Sequence, residues 1–176
     1  MENRLLTLVR HAKSSWKTEG QLDHDRPLND RGNNDAPVMA TRLVQRSCIP
    51  DLILCSSAKR TLETAAYFLD AFGFNDEKLW VSKNLYLCTP ETMLEELAVA
   101  EAGHQHVMII AHNPGLEQLS YRLSAACNPS MPTLGIRHFS CSSLNPLPMG
   151  KRSQVSTAKT DATIELVFKD FPKNVT

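Results

Sequence analysis

The sequence predicts an α/β fold, a three-layer sandwich with a mostly parallel central sheet flanked by helices. Apolar runs alternate with segments of helical periodicity along most of the 176 residues. The early runs are continuous rather than alternating, as in strands covered on both faces. Helix-length segments separate them, which suits right-handed crossovers between parallel neighbours.

Leu5-Leu6-Thr7-Leu8-Val9 is the first predicted strand, followed by a helical pattern over 35–45 that carries Val38, Met39, Leu43 and Val44. Leu52-Ile53-Leu54-Cys55 is the second strand, followed by a helix over 60–72 with Leu62, Ala65, Ala66, Leu69 and Phe72. A helix over 90–102 opens on Thr89-Pro90, a cap-like residue before a proline at the first helical position. Val107-Met108-Ile109-Ile110-Ala111 is the strongest strand pattern, and Asn113-Pro114 repeats the same entry into a helix over 114–126. Further strands are expected over 136–140 and 163–168. Between them, 142–160 is rich in Ser, Pro, Gly, Lys and Thr and reads as a long exposed connection, with 172–176 a loose tail. No internal repeat is evident, and the length predicts one domain over 1–176.

Composition narrows the function. With 42% hydrophobic and 22% charged residues and zero net charge, the chain has no electrostatic footprint for nucleic acid, so any anion site must be local. No apolar stretch approaches the roughly 20 residues that span a bilayer. Residues 1–4 lead straight into a strand pattern without the apolar segment of a signal peptide, so a cytoplasmic location is expected. Cys48, Cys55, Cys88, Cys127 and Cys141 are odd in number and form no C-x-x-C pair, which argues against a disulfide framework or a zinc site.

Three strand ends carry the chemistry. The first delivers Arg10-His11, the second runs into Ser56-Ser57-Ala58-Lys59-Arg60-Thr61, and the third ends in His112-Asn113-Pro114-Gly115. In a parallel sheet these ends share one edge, where open α/β sheets place their ligand crevice. Arginine supplies a permanent cation and a fork of donors matched to phosphate oxygens. Histidine supplies a nitrogen able to act as nucleophile or acid–base group. Arg10, His11, Arg60 and His112 therefore point to a phosphate-handling pocket in which His11 attacks phosphorus, Arg10 and Arg60 bind the equatorial oxygens, and His112, if protonated, donates to them. A metal reading of the two histidines is disfavoured, because the adjoining arginines repel a dication and no H-E-x-x-H spacing exists. No G-x-x-x-x-G-K-[ST] or G-x-G-x-x-G run supports a nucleotide cradle, and Ser14-Ser15 lacks the glycines of a nucleophile elbow.

Leu8-Val9-Arg10-His11-Ala12 resembles the R-H-G signature of the histidine phosphatase superfamily, also called phosphoglycerate-mutase-like. Ser56-x-x-x-Arg60-Thr61-x-x-Thr64 resembles its second arginine motif, and Ala111-His112-Asn113 its second histidine motif. Asp25-Arg26-Pro27-Leu28-Asn29-Asp30-Arg31-Gly32 is similar to a segment of the SixA-type phosphohistidine phosphatases. The similarity covers residues 4–140. It implies a phosphoglycerate-mutase-like sandwich, His11 as nucleophile, Arg10 and Arg60 as phosphate ligands, and His112 as second histidine. Arg26 is a weaker candidate for lining the pocket, balanced against a surface arginine before a proline. Ala12 stands where the commonest signature has glycine, which bears on the turn geometry. His24, His104, His106 and His138 lack motif support and are expected to be solvent-exposed or hydrogen-bonded.

Ester leaving groups need a proton, and many members of the superfamily supply it from a carboxylate. The stretch 81–88 carries no acid, and Glu91, Glu95 and Glu96 have the spacing of an exposed helix face. An N–P bond is more labile, so the resemblance implies a cofactor-free, metal-free, monomeric phosphohistidine phosphatase acting on a phosphorylated protein such as a histidine phosphotransfer domain, apart from nucleic acid and membrane. The alternatives are a small-molecule phosphomonoesterase, which needs Asp23, Asp25, Glu91 or Glu95 in the pocket, and a non-catalytic phosphate-binding module. A mutase is disfavoured, because a short chain leaves little material to enclose an intermediate.

Overall fold

The structure, a computed structural model, describes residues 3–100, 102–127, 130–141 and 164–173. Its strands are β1 (Arg4–Arg10), β2 (Leu52–Ser56), β3 (Leu79–Ser82), β4 (His106–Ala111), β5 (Ile136–Cys141) and β6 (Ile164–Asp170). Its helices are α1 (Asp30–Gln45), α2 (Lys59–Phe72), α3 (Pro90–Ala100) and α4 (Gly115–Leu123). The strands form one sheet in the order β3-β2-β4-β1-β5-β6. β1, β4, β2 and β3 run parallel, and β5 is antiparallel to both β1 and β6.

Pleat alternation divides the core between the two faces. Leu6, Leu8, Leu54 and Ile109 pack with Met93 and Leu97 of α3 and with Leu116 and Leu119 of α4. Val9, Ile53, Cys55 and Met108 pack on the other face with Met39, Ala40 and Leu43 of α1 and with Ala65 and Phe68 of α2. The predicted three-layer sandwich is therefore the observed one.

Several element ends and one strand differ from expectation. α1 starts at Asp30, before the predicted 35, because the Asn29 side chain caps the Gly32 amide at 2.9 Å. α4 ends at Leu123, earlier than 126. β3 is a four-residue edge strand with three of its residues partly or fully exposed, too short and wet to leave an apolar run. α2 ends at its expected residue because Gly73 takes the left-handed conformation (φ 67°) that closes the helix. The predicted exposed connection over 142–160 lies outside the described residues.

The segment after β1 folds back onto α1. Asn29 N donates to Lys13 O at 2.9 Å, and Ser14 bridges Leu28. A Cβ on Gly32 would lie 2.3 Å from Lys13 O, a backbone atom that cannot step aside alone. Gly32→Ala is expected to destabilise the fold by about 1–3 kcal/mol through this overlap. In urea the unfolding midpoint should drop at constant slope; an unchanged midpoint would show that helix and loop separate freely.

Candidate active site

The carboxyl ends of β1, β2 and β4 bring Arg10, His11, Arg60 and His112 together. His11 is buried, and its Nδ1–H donates to the Ala12 carbonyl at 2.7 Å. A carbonyl only accepts, so this bond fixes the tautomer and leaves the lone pair on Nε2. Arg60 Nε donates to that nitrogen at 3.3 Å. Burial, and then the charges of Arg60, Arg10 and Arg26, push the His11 pKa down to about 4. His11 is thus a neutral imidazole with its basic nitrogen facing a guanidinium.

The first turn of α2 places Arg60, 3% exposed, across the pocket floor. Its Nη2 donates to Nδ1 of His112 at 3.3 Å. Since arginine has no acceptor, His112 accepts there and gives its Nε2–H to Ser56 Oγ at 2.8 Å. The two rings lie 5.1 Å apart. Burial and the nearby His11 and Arg60 hold His112 down at about 3, so it is neutral here. From the sequence, His112 donates to phosphate only if protonated, and in this state it is not.

The Arg10 side chain is anchored by a hydrogen bond from Nη1 to the Met131 carbonyl at 2.8 Å. Its Nε is buried without a partner. An unsatisfied buried donor costs free energy and is rare away from ligand sites. Burial lowers the Arg10 pKa against the opposing charge of Glu117, yet arginine remains a cation.

The resemblance read from the motifs is matched by comparison with known proteins. The family model "Histidine phosphatase superfamily (branch 1)" matches residues 6–85. A solved SixA chain from Agrobacterium tumefaciens, provisionally assigned as a phosphohistidine phosphatase, is 32% identical, with a TM-score of 0.70 over 77% of this chain and 91% of that one. This chain belongs to the histidine phosphatase superfamily. An uncharacterised Mycobacterium tuberculosis protein is 31% identical over 66% of this chain and 70% of its own length. An uncharacterised chloroplastic protein of Arabidopsis thaliana is 31% identical over 134 residues, and the match spans 61% of that protein.

Within this histidine phosphatase fold, the structure resolves the two positions that the motifs left open. Arg26 is buried at 6% exposure, which excludes the surface reading. It reaches Ser15 O at 2.8 Å, Ser14 Oγ at 2.5 Å and Asp23 Oδ1 at 2.6 Å, under the exposed ring of Trp16. Ala12 is not among the described residues with positive φ. Its amide donates to Thr64 Oγ1 at 3.0 Å, so this turn needs no glycine.

Asp23 and Tyr86 were not among the motif residues. Asp23 sits in a 3-10 turn (Asp23–Asp25). Its Oδ2 accepts from Arg60 Nη2 at 2.9 Å and from the Tyr86 hydroxyl at 2.6 Å, and its backbone carbonyl accepts from Arg60 Nη1 at 2.5 Å. Burial alone would raise the Asp23 pKa. Hydrogen bonds from Tyr86 and Arg26, with the charge of Arg60, outweigh it and hold the carboxyl well below the usual range. Tyr86 packs edge-on to His112. His24 packs edge-on to Tyr86 and meets Ser57 Oγ at 2.9 Å. The α3 carboxylates lie elsewhere: Glu91 pairs with Arg122, and Glu96 accepts from Asn84 at 2.6 Å.

Proposed function

We propose that the chain is a phosphatase that cleaves the N–P bond of phosphohistidine in a protein substrate, through a phosphohistidine formed transiently on His11. The observation that carries this reading is the fixed His11 tautomer, with a neutral Nε2 beside the Arg60 guanidinium. In the first step the Nε2 lone pair attacks phosphorus in line with the leaving nitrogen. The N–P bond breaks and its electron pair returns to the departing imidazole. Arg60 and the unpaired Nε of Arg10 stabilise the charge spread over the equatorial oxygens. An arriving phosphoryl dianion raises the proton affinity of His112, which then donates to it. Water hydrolyses the His11–phosphate bond and returns the neutral imidazole.

The leaving group decides between the enzyme readings. An imidazole protonated on its other nitrogen departs neutral as the N–P bond breaks, whereas an alkoxide needs a general acid. Asp23 does reach Arg60, the condition on which the phosphomonoesterase alternative depended. Its depressed pKa leaves it ionised, though, so it has no proton to give near neutral pH. Asp23 instead orients Arg60, Arg26 and Tyr86. The exposed Trp16 and Leu22, on the chain that leads into this turn, and Leu87, next to Tyr86, offer apolar contact to a macromolecular substrate.

The test offers a phosphohistidine protein and a phosphoserine peptide to the wild type and to Asp23→Asn. The wild type is expected to prefer phosphohistidine, and Asp23→Asn to change that rate by less than about tenfold. Preference for phosphoserine, with a loss on the order of 10²-fold or more in Asp23→Asn, would establish the phosphomonoesterase reading instead.

A further inference from the structure

A second group of ionisable side chains lies inside the fold, on the sheet face covered by α1 and α2. Thr7 of β1 and His138 of β5 are direct cross-strand partners. His106 opens β4, whereas the catalytic His112 follows its far end. Cys48 lies just beyond α1 and packs into the same core. All four are buried, with Cys48, His106 and His138 at 4%, 5% and 6% exposure and Thr7 at 0%.

Their polar atoms share one centre. Thr7 Oγ1 lies 2.7 Å from His106 Nε2, 2.8 Å from His138 Nδ1 and 3.7 Å from Cys48 Sγ. Cys48 Sγ is 3.4 Å from His138 Nδ1. The sulfur and one nitrogen of each ring all fall within 4.8 Å of one another. His106 Nδ1–H donates outward to the Ile49 carbonyl at 3.0 Å, which turns an unprotonated Nε2 inward.

We propose that Cys48, His106 and His138, with the Thr7 hydroxyl at the fourth corner, form a closed site for one thiophilic d10 metal ion, Zn²⁺ or Cu⁺. A sulfur and a nitrogen ligand at about 2.3 and 2.05 Å from zinc stand roughly 3.6 Å apart across a tetrahedron, close to the 3.4 Å between Cys48 Sγ and His138 Nδ1, while the Thr7 hydroxyl, now hydrogen-bonded to both rings, would draw back to take the fourth corner. The Ile49 carbonyl behind His106 is the outer partner that fixes the tautomer of a ligating imidazole. Burial keeps both rings in the neutral form that binds metal, with His138 pushed down to about 4. Binding forms the metal–sulfur bond and releases the Cys48 thiol proton to solvent. Zinc then leaves one net positive charge in the core and copper(I) leaves none, with the charge of Arg46 acting on Cys48 and that of Asp51 on His106.

A hydrogen-bond chain accounts for three of the four groups without metal: His138 Nδ1–H to Thr7, Thr7 O–H to His106, and His106 to Ile49. Cys48 joins that chain only through long sulfur contacts to His138 and Thr7 at 3.4 and 3.7 Å, and the thiol is the group that a soft cation prefers. With every ligand buried and no open position, the site is structural. It ties the end of α1 to three neighbouring strands, and it does not rest on the phosphatase reading.

The test uses the full-length chain, stripped with chelator and then offered Zn²⁺, or Cu⁺ under anaerobic reducing conditions, before desalting and elemental analysis. One equivalent of either ion should be retained and should raise Tm. Cobalt(II) in its place should show thiolate-to-metal charge transfer and the ligand-field bands of a four-coordinate ion. Cys48→Ser should lose the retained ion and the charge-transfer band, and His11→Ala should keep both. Retention of neither ion, retention that survives Cys48→Ser, or loss of the ion in His11→Ala would each overturn the proposal.

Discussion

Replacing His11 with alanine is expected to abolish phosphate release, by on the order of 10⁴-fold or more, as when the nucleophile of a covalent mechanism is removed. The loss is large because no neighbour can substitute. The lone pair on His112 is turned to Arg60, and its other nitrogen is committed to Ser56. Anion affinity should survive, since Arg10 and Arg60 are anchored without His11, by Met131 and Asp23. Rapid quenching of the wild type with radiolabelled phosphoprotein should trap an acid-labile, base-stable phosphoenzyme, and His11→Ala should give none. Vanadate binding by the variant then separates lost chemistry from lost folding. Undiminished release by His11→Ala would sink the nucleophile assignment.

The four central residues were legible because each follows the end of an apolar run, and parallel strands bring such ends to one edge. Nothing comparable marks Asp23 or Tyr86. Asp23 reaches Arg60 only because residues 13–29 fold back onto α1, a path set by the close approach of Gly32 to the Lys13 carbonyl. A sequence can display a motif on a strand end, but it cannot display the path of a loop. Tyr86 lies in the 81–88 stretch, where only a carboxylate would mark a general acid, and a hydroxyl that grips a carboxylate from another loop carries no such mark. The same limit hid the second cluster. Cys48, His106 and His138 are far apart in sequence, and only the pairing of β1 with β4 and β5 makes them neighbours. The absence of C-x-x-C spacing speaks against zinc ligands adjacent in sequence, not against ligands on different strands.

The same burial that prepares His11 should make the fold acid-sensitive. His11 and His138 at about 4 and His112 at about 3 lie below the ordinary histidine value of about 6.5, and burial lowers His106 as well. Between those limits the unfolded chain binds more protons than the folded one, so stability rises with pH and is lost on acidification. At pH 5 each histidine should cost about 1–2 kcal/mol relative to pH 8, with little change above pH 7.5. Asp23 acts lower on the scale, its contribution present above the unfolded carboxylate value and lost only at strongly acid pH. Burial sets the His11 and His112 values first, with the charges of Arg60, Arg10 and Arg26 acting on His11 and those of His11, Arg60, Asp23 and His24 acting on His112. Urea midpoints at pH 8, 7, 6 and 5 should therefore fall most steeply between 6.5 and 5. His112→Gln should flatten that fall, because glutamine can retain hydrogen bonds to Ser56 and Arg60 without titrating. Because His11 stays neutral throughout, the turnover of folded enzyme should show no acid limb near 6.5. A midpoint independent of pH over this range would mean that all four buried rings titrate normally in the folded protein, and it would remove the electrostatic basis for a nucleophile kept neutral by burial and its arginines.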